Sequence, residues 1–159
     1  MDRRAIAVIG QGTPDEGPAA EAAREVGRLL AREGATVVTG GLGGVMAAAG
    51  GGARAAGGRV TAVLPGTDRR EAREADAVVA TGVGEARDLA VVASADAVIA
   101  VGGGWGTLAE IALARKLGRP VVLLRSWAIA EPGAPDGASA CPTAASPEAA
   151  VRLALEAAR

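Results

Sequence analysis

Short apolar runs recur along the chain, each closed by glycine or proline and most followed by a stretch with helical spacing. Residues 5–9 (AIAVI) form the first run, and GQGTP turns the chain after it. From 18 to 33 the period changes. Ala22, Val26, Leu29 and Leu30 fall at i, i+4, i+7 and i+8, with Glu21, Arg24, Glu25, Arg28 and Arg32 on the other side. This predicts an amphipathic helix, stopped by Gly34. A second strand is expected over 35–39 with a glycine turn at 40–44, then a helix of small residues to about 56, then a third strand over 59–64.

The polar stretch TDRREARE (67–74) precedes a near-repeat. ADAVVA at 75–80 returns as ADAVIA at 95–100, and both run into glycine. The two copies read as parallel strands meeting the same demands. Helices are expected over 85–94 and 107–117, and another strand over 120–124. Residues 126–146 read as a long Ala/Pro/Gly/Ser loop or lid. A final helix over 147–158 starts with Ser146 as N-cap and Pro147 in the first turn. Strands apolar on both faces and alternating with helices predict an α/β, Rossmann-like, doubly wound parallel sheet with helices on both faces. A single domain over 1–159 is expected, with its ligand site at the carboxyl ends of the strands.

Composition narrows the chemistry. Half of the 159 residues are hydrophobic, yet the only aromatics are Trp105 and Trp127, and there are 24 glycines. The net charge is −1, so no strong field draws nucleic acid or an anionic membrane. One cysteine, Cys141, and no histidine exclude an internal disulfide, a histidine- and cysteine-rich zinc site and a histidine general base. No signal peptide and no run of about 20 apolar residues is visible, so a soluble cytoplasmic protein is expected.

Two glycine-rich turns carry the candidate chemistry. GGLGGVM at 40–46 places Gly41, Gly43 and Gly44 where backbone N–H groups and a helix N-terminus favour an anion. VGGGWGTLAE at 101–110 does the same with Gly103, Gly104, Gly106 and Thr107, and Gly10 and Gly12 end the first strand in a third turn. Neither turn has the dinucleotide or Walker pattern. Thr107 and Glu110 fit two roles: a capping box that only starts the helix, or a phosphate ligand with a catalytic carboxylate beside it. Arg87 is either a fixed cation at the site or an exposed arginine in a helix first turn. Trp105 either stacks on a base or plugs the turn. The helix over 107–117 is apolar nearly all round, which points to burial in a subunit interface.

Together these segments resemble the LONELY GUY (LOG) family, long labelled "possible lysine decarboxylase". Its pattern P-G-G-x-G-T-x-x-E is matched from Gly103 through Glu110, and Arg87 falls 23 positions before Glu110, where the family has the arginine of M-H-x-R-K. The resemblance implies a nucleoside 5′-monophosphate site, with Arg87 and Glu110 as the catalytic pair of a phosphoribohydrolase that releases free base and ribose 5-phosphate. No metal and no cofactor are implied. Gly84 and Glu85 replace the family's Met-His, Asp88 its Lys, and Gly102 its proline. Those departures resemble a shorter bacterial branch similar to molybdenum cofactor carrier proteins, which implies a non-catalytic carrier or sensor of a phosphorylated, pterin-type ligand. A homodimer or higher homo-oligomer is expected. Lysine decarboxylase is rejected, because a pyridoxal-phosphate Schiff base needs a lysine and the sole one, Lys116, lies at a helix C-terminus.

Overall fold

The computed structural model describes residues 3–136 and 138–158, so Gly137 of the expected 126–146 loop lies outside the described residues. Seven strands form one sheet: β1 (Ala5–Ile9), β2 (Thr36–Thr39), β3 (Arg59–Leu64), β4 (Ala77–Ala80), β5 (Ala97–Val101), β6 (Val121–Leu124) and β7 (Thr143–Ala144). Their order is β4-β3-β2-β1-β5-β6-β7, and every pairing is parallel. The chain winds outward from β1 to β4, then returns to the other side of β1. The winding therefore reverses between β1 and β5, which opens a crevice at their carboxyl ends.

Five helices cover the sheet: α1 (Pro18–Arg32), α2 (Val45–Ala55), α3 (Arg87–Ala93), α4 (Trp105–Lys116) and α5 (Pro147–Ala157). Successive strand residues point to opposite faces, and both faces are apolar here. Ile6, Val8, Val37, Val60 and Ile99 meet α1, α2 and α5 on one face. Ala7, Ile9, Val38, Val98 and Ala100 meet Val91 and Val92 of α3 and Ile111 and Ala114 of α4 on the other. No helix among the described residues is long and apolar enough to cross a membrane.

The near-repeat has a bonding reason. The Asp76 carboxylate accepts from the N–H of Val60 at 2.9 Å, and the Asp76 N–H donates to Val60 O. Asp96 repeats the pair with Ala5, at 2.8 Å for the side chain. Each aspartate thus satisfies a donor at the start of the strand beside its own, the second residue of β3 in one case and the first of β1 in the other. The environments still differ. β5 is wholly buried in mid-sheet, whereas β4 lies at the edge with alternate residues exposed.

Two expectations gain detail. Segment 126–146 is a loop over most of its length, as expected, but it is tethered: Trp127, Ile129 and Ala140 pack on the second core, Cys141 is buried in it, and the short β7 within it pairs with β6. A two-residue strand among small residues leaves no periodic trace, so the pattern missed it. Helix α4 buries only Thr107, Ile111 and Ala114 within one copy of the chain, so burial on its other sides would need a partner copy. Its outer side keeps Ala109 and Ala112 exposed, with Leu117 just beyond. The last helix starts as expected, with Ser146 Oγ accepting from the N–H of Ala149.

Helices α1 and α2 touch through glycine. A Cβ on Gly27 would lie 2.0 Å from Ala49 O, and one on Gly52 1.9 Å from Arg24 O. No rotamer relieves a contact with backbone, so the helices would have to separate. Gly51, one residue before Gly52, faces only the Glu74 side chain at 3.7 Å. Gly52→Ala is expected to lower stability by about 2 kcal/mol or more through overpacking. Gly51→Ala is expected to leave it unchanged or raise it by up to about 1 kcal/mol through helix propensity. Urea midpoints at constant m measure both, and equal shifts would remove the close approach as a constraint.

Candidate functional site

At the carboxyl ends of the strands lies an open cavity of about 520 Å³. The turn after β1 gives it Gly10, Gln11, Gly12 and Thr13, and the α2 side gives Leu42 and Met46. Pro65 follows β3, Glu85, Arg87 and Asp88 follow β4, and Gly104, Trp105, Gly106, Thr107 and Glu110 follow β5. Gly10 sits where three elements converge: a Cβ there would meet Val101 O at 2.6 Å and the Val45 side chain at 2.7 Å.

The turn into α4 leaves a run of backbone donors open. Gly102 and Gly103 have φ of 60° and 138°, which a side chain would resist, and Gly103 also lies against the Thr107 side chain. The helix then starts from Gly104 as N-cap without any side-chain cap. Of the two roles open to Thr107 and Glu110, the capping box therefore does not form. Its register is displaced: Thr107 is the third residue of α4 and 3% exposed, and Glu110 lies along the helix in the cavity wall. The amide N–H groups of Gly103, Gly104, Trp105, Gly106 and Thr107 have no hydrogen-bond acceptor among the described residues. Such a cluster at a helix N-terminus attracts anions.

The turn into α2 is different. Gly41, Gly43 and Gly44, expected beside the phosphate, do not line the cavity. Gly41 N–H donates to Thr39 Oγ1, Val45 N–H to Gln11 O, and Gly44 N–H to the Asp15 carboxylate at 2.7 Å. Arg73 Nη1 reaches the same carboxylate at 3.2 Å, and Arg73 N–H donates to Gly41 O. The Gly44 amide first, and then Arg73, hold the Asp15 carboxyl below its usual range. Sequence reading missed both residues, which lie in exposed polar segments without a distinctive pattern.

Arg87 is not an exposed arginine. Its Nη1 donates to Gly40 O at 2.6 Å and Val63 O at 3.2 Å, tying α3 to the ends of β2 and β3. Gly40 must be glycine for this, since a Cβ would fall 1.8 Å from Nη1. Arg87 Nε lies 3.1 Å from Asp88 Oδ1, a charge contact without hydrogen-bond geometry, so this buried N–H finds no acceptor among the described residues. Asp88 was noted only as a departure from a motif, yet it shapes the site's electrostatics. Burial raises its pKa, with Arg87 opposing. Glu110 is pushed up to about 8, first by burial and then by the Asp88 charge, with Arg87 again opposing. At neutral pH Glu110 is therefore largely a neutral acid.

Trp105 is 78% exposed at the cavity rim, 5.1 Å centroid to centroid from Trp127 in a tilted pair. Trp127 Nε1 donates to Gly104 O at 3.2 Å, so both aromatic residues of the chain brace the turn into α4. Lys116 ends α4, exposed and outside the cavity. Among the described residues no three His, Cys, Asp or Glu side chains are grouped to hold a metal ion.

The SLOG cluster4 family model matches residues 3–151. The chain belongs to the SLOG cluster4 family. An uncharacterized protein of Archaeoglobus fulgidus is 45% identical over 126 residues, 79% of this chain and 83% of that one. The structure of the molybdenum cofactor binding protein from Rippkaea orientalis is 34% identical over 98% of both chains, with a TM-score of 0.86. The molybdenum cofactor carrier protein of Chlamydomonas reinhardtii is also 34% identical over 98% of both chains, with a TM-score of 0.80. The likeness to carrier proteins expected from the sequence is thus present along nearly the whole SLOG cluster4 chain.

The displaced carboxyl gives a pH test. The folded pKa of Glu110 lies above its ordinary value of 4.5, so the folded state holds the extra proton between pH 4.5 and about 8. Its contribution to stability is full below that window and is lost as pH rises through it, by up to about 1.4 kcal/mol per pH unit. Glu110→Gln is expected to flatten this slope and to raise the melting temperature more at pH 8 than at pH 5. Parallel melting profiles for the two proteins would show that Glu110 titrates normally.

Proposed function

We propose that this protein binds and carries a small phosphorylated heterocycle, a pterin-type monophosphate or a nucleoside 5′-monophosphate, without breaking it. The observation that carries this reading is the turn into α4, where the N–H groups of Gly104, Trp105, Gly106 and Thr107 have no acceptors and belong to residues lining a cavity whose half-buried carboxyl, Glu110, is largely neutral; Gly103 stands beside them without lining it. The phosphate sits against Gly103, Gly104, Gly106 and Thr107, opposite Gly10 and Gly12. Charge-assisted bonds from backbone donors are strong and need no lysine. The ring stacks on exposed Trp105, with Trp127 fixing the platform from behind. Neutral Glu110 adds a hydrogen-bond donor and spares the anionic ligand a second negative charge beside Asp88. Arg87, fixed on two carbonyls, holds the walls together. The similarity to molybdenum cofactor carrier proteins supports the pterin-type choice.

A second reading, hydrolysis of nucleoside 5′-monophosphates to free base and ribose 5-phosphate, has one observation in its favour. Arg87 and Glu110 line the same cavity, and an acid with a pKa of about 8 is suited to protonate a leaving base. The protein is further read as a homo-oligomer, supported by apolar Val79, Val83, Leu89 and Leu117, which a single copy leaves exposed.

Titration with a pterin monophosphate and with AMP, read by tryptophan fluorescence, tests the first reading. Release of ribose 5-phosphate tests the second in the same samples. Saturable quenching without release is expected. Trp105→Ala should weaken binding by about tenfold or more, as loss of one stacking platform does, while Glu110→Gln binds nearly as the native protein. Turnover that disappears in Glu110→Gln would replace the carrier reading by the hydrolase. No binding of either compound would refute the phosphate site.

A further inference from the structure

The β1–α1 turn separates two helix N-termini that differ in one respect. At α4 the donors are open, whereas at α2 the Asp15 carboxylate already accepts from the Gly44 N–H. Asp15 stands in the place of a ligand oxyanion there. The space agrees, since a Cβ on Gly43 would meet Gly12 O at 2.7 Å and both Arg73 Nη1 and Asp15 Oδ1 at 2.9 Å. Beside Gly43, therefore, even a methyl group would be crowded by the turn after β1, Asp15 and Arg73. The two ends are nevertheless close. A Cβ on Gly44 would lie 2.2 Å from Gln11 O, and one on Gly104 2.9 Å from Gln11 Nε2, so a single residue stands between them.

We propose that Asp15 is a specificity-determining residue: by placing the protein's own carboxylate on the Gly44 N–H at the start of α2, it restricts the site to one phosphate and rejects a ligand with two adjacent phosphates. This rests on the carrier reading, which places the ligand's phosphate at α4, and adds which phosphorylated ligands that site refuses. A second phosphate reaching towards α2 meets the negative charge of Asp15, and finds the Gly44 and Val45 N–H groups already bonded. Arg73 braces Asp15 from outside. Both side chains are about half exposed, so their ion pair adds little by itself. The bond to the Gly44 N–H keeps the carboxylate in place.

The test uses inorganic phosphate and pyrophosphate on the full chain, which removes any dependence on the heterocycle. Dissociation constants come from calorimetry at constant ionic strength, and melting curves check that each variant folds. The native protein should bind pyrophosphate no more tightly than phosphate. Asp15→Ala should leave phosphate affinity within about twofold and tighten pyrophosphate about tenfold or more, since a charge-assisted bond to freed helix donors is of that order. Asp15→Asn removes the charge but keeps a side chain in place, and should gain less. Arg73→Ala loosens the brace but leaves Asp15 on the helix end, and should gain nothing. If phosphate binds while the ratio of the two affinities is the same in Asp15→Ala as in the native protein, Asp15 has no such role and the carrier reading stands. If Arg73→Ala gains as much as Asp15→Ala, looseness of the turn is the cause and the inference is likewise overturned. If the native protein binds neither anion, the carrier reading fails and takes this inference with it.

Discussion

Backbone lies directly against backbone where α1 crosses α2, and the position of the cavity follows from that contact. Gly27 and Gly52 let each helix accept a carbonyl oxygen of the other where a methyl group would stand. This brings the start of α2 close enough for the Val45 N–H to bond to Gln11 O in the turn after β1. Gly10 repeats the arrangement at the crevice itself, pressed between Val101 O and Val45. The turn after β1 is thus held from both sides before any ligand arrives. A cavity wall of loop residues can then be as firm as the sheet it stands on.

Electrostatics divides the labour around that wall. Among the described residues that line the cavity the cation is Arg87, whose hydrogen bonds go to the carbonyls of Gly40 and Val63, so its charge holds three segments together. Two carboxyls, Asp88 and Glu110, share its influence, and burial drives Glu110 to the neutral form. Backbone amides at the start of α4 are left as the open donors of the cavity. They have no side-chain rotamers to order and no proton to lose, so their affinity for an oxyanion needs little reorganisation.

Much of this is legible in the chain itself. The apolar runs place the strands of the inner sheet because those strands are buried on both faces, and the glycine turns after β1 and β5 flank the cavity because a strand ending at a ligand needs positive φ or close approach there. The repeated aspartate is visible as a pattern, although its pairing with a neighbouring strand is not. What escapes notice depends on distance along the chain. Asp15 meets Gly44 across 29 positions and Arg73 across 58, and no local period encodes such a meeting. The start of α4 is misplaced for a different reason: Thr107 and Glu110 have the spacing of a cap, but glycines ahead of them let the helix begin at Trp105. The short β7 is lost because two residues make no pattern.

The cavity walls stand on segments that follow strands, while the strand residues themselves lie inside the two cores. Inheritance can therefore act on the two separately. Exchanges at Thr13, Leu42, Glu85 or Trp105 reshape the mouth without disturbing a single interior contact between β1 and β5. A lineage with this scaffold is free to change the shape and chemistry of its cavity by small steps at the rim, each passing through a chain that still folds.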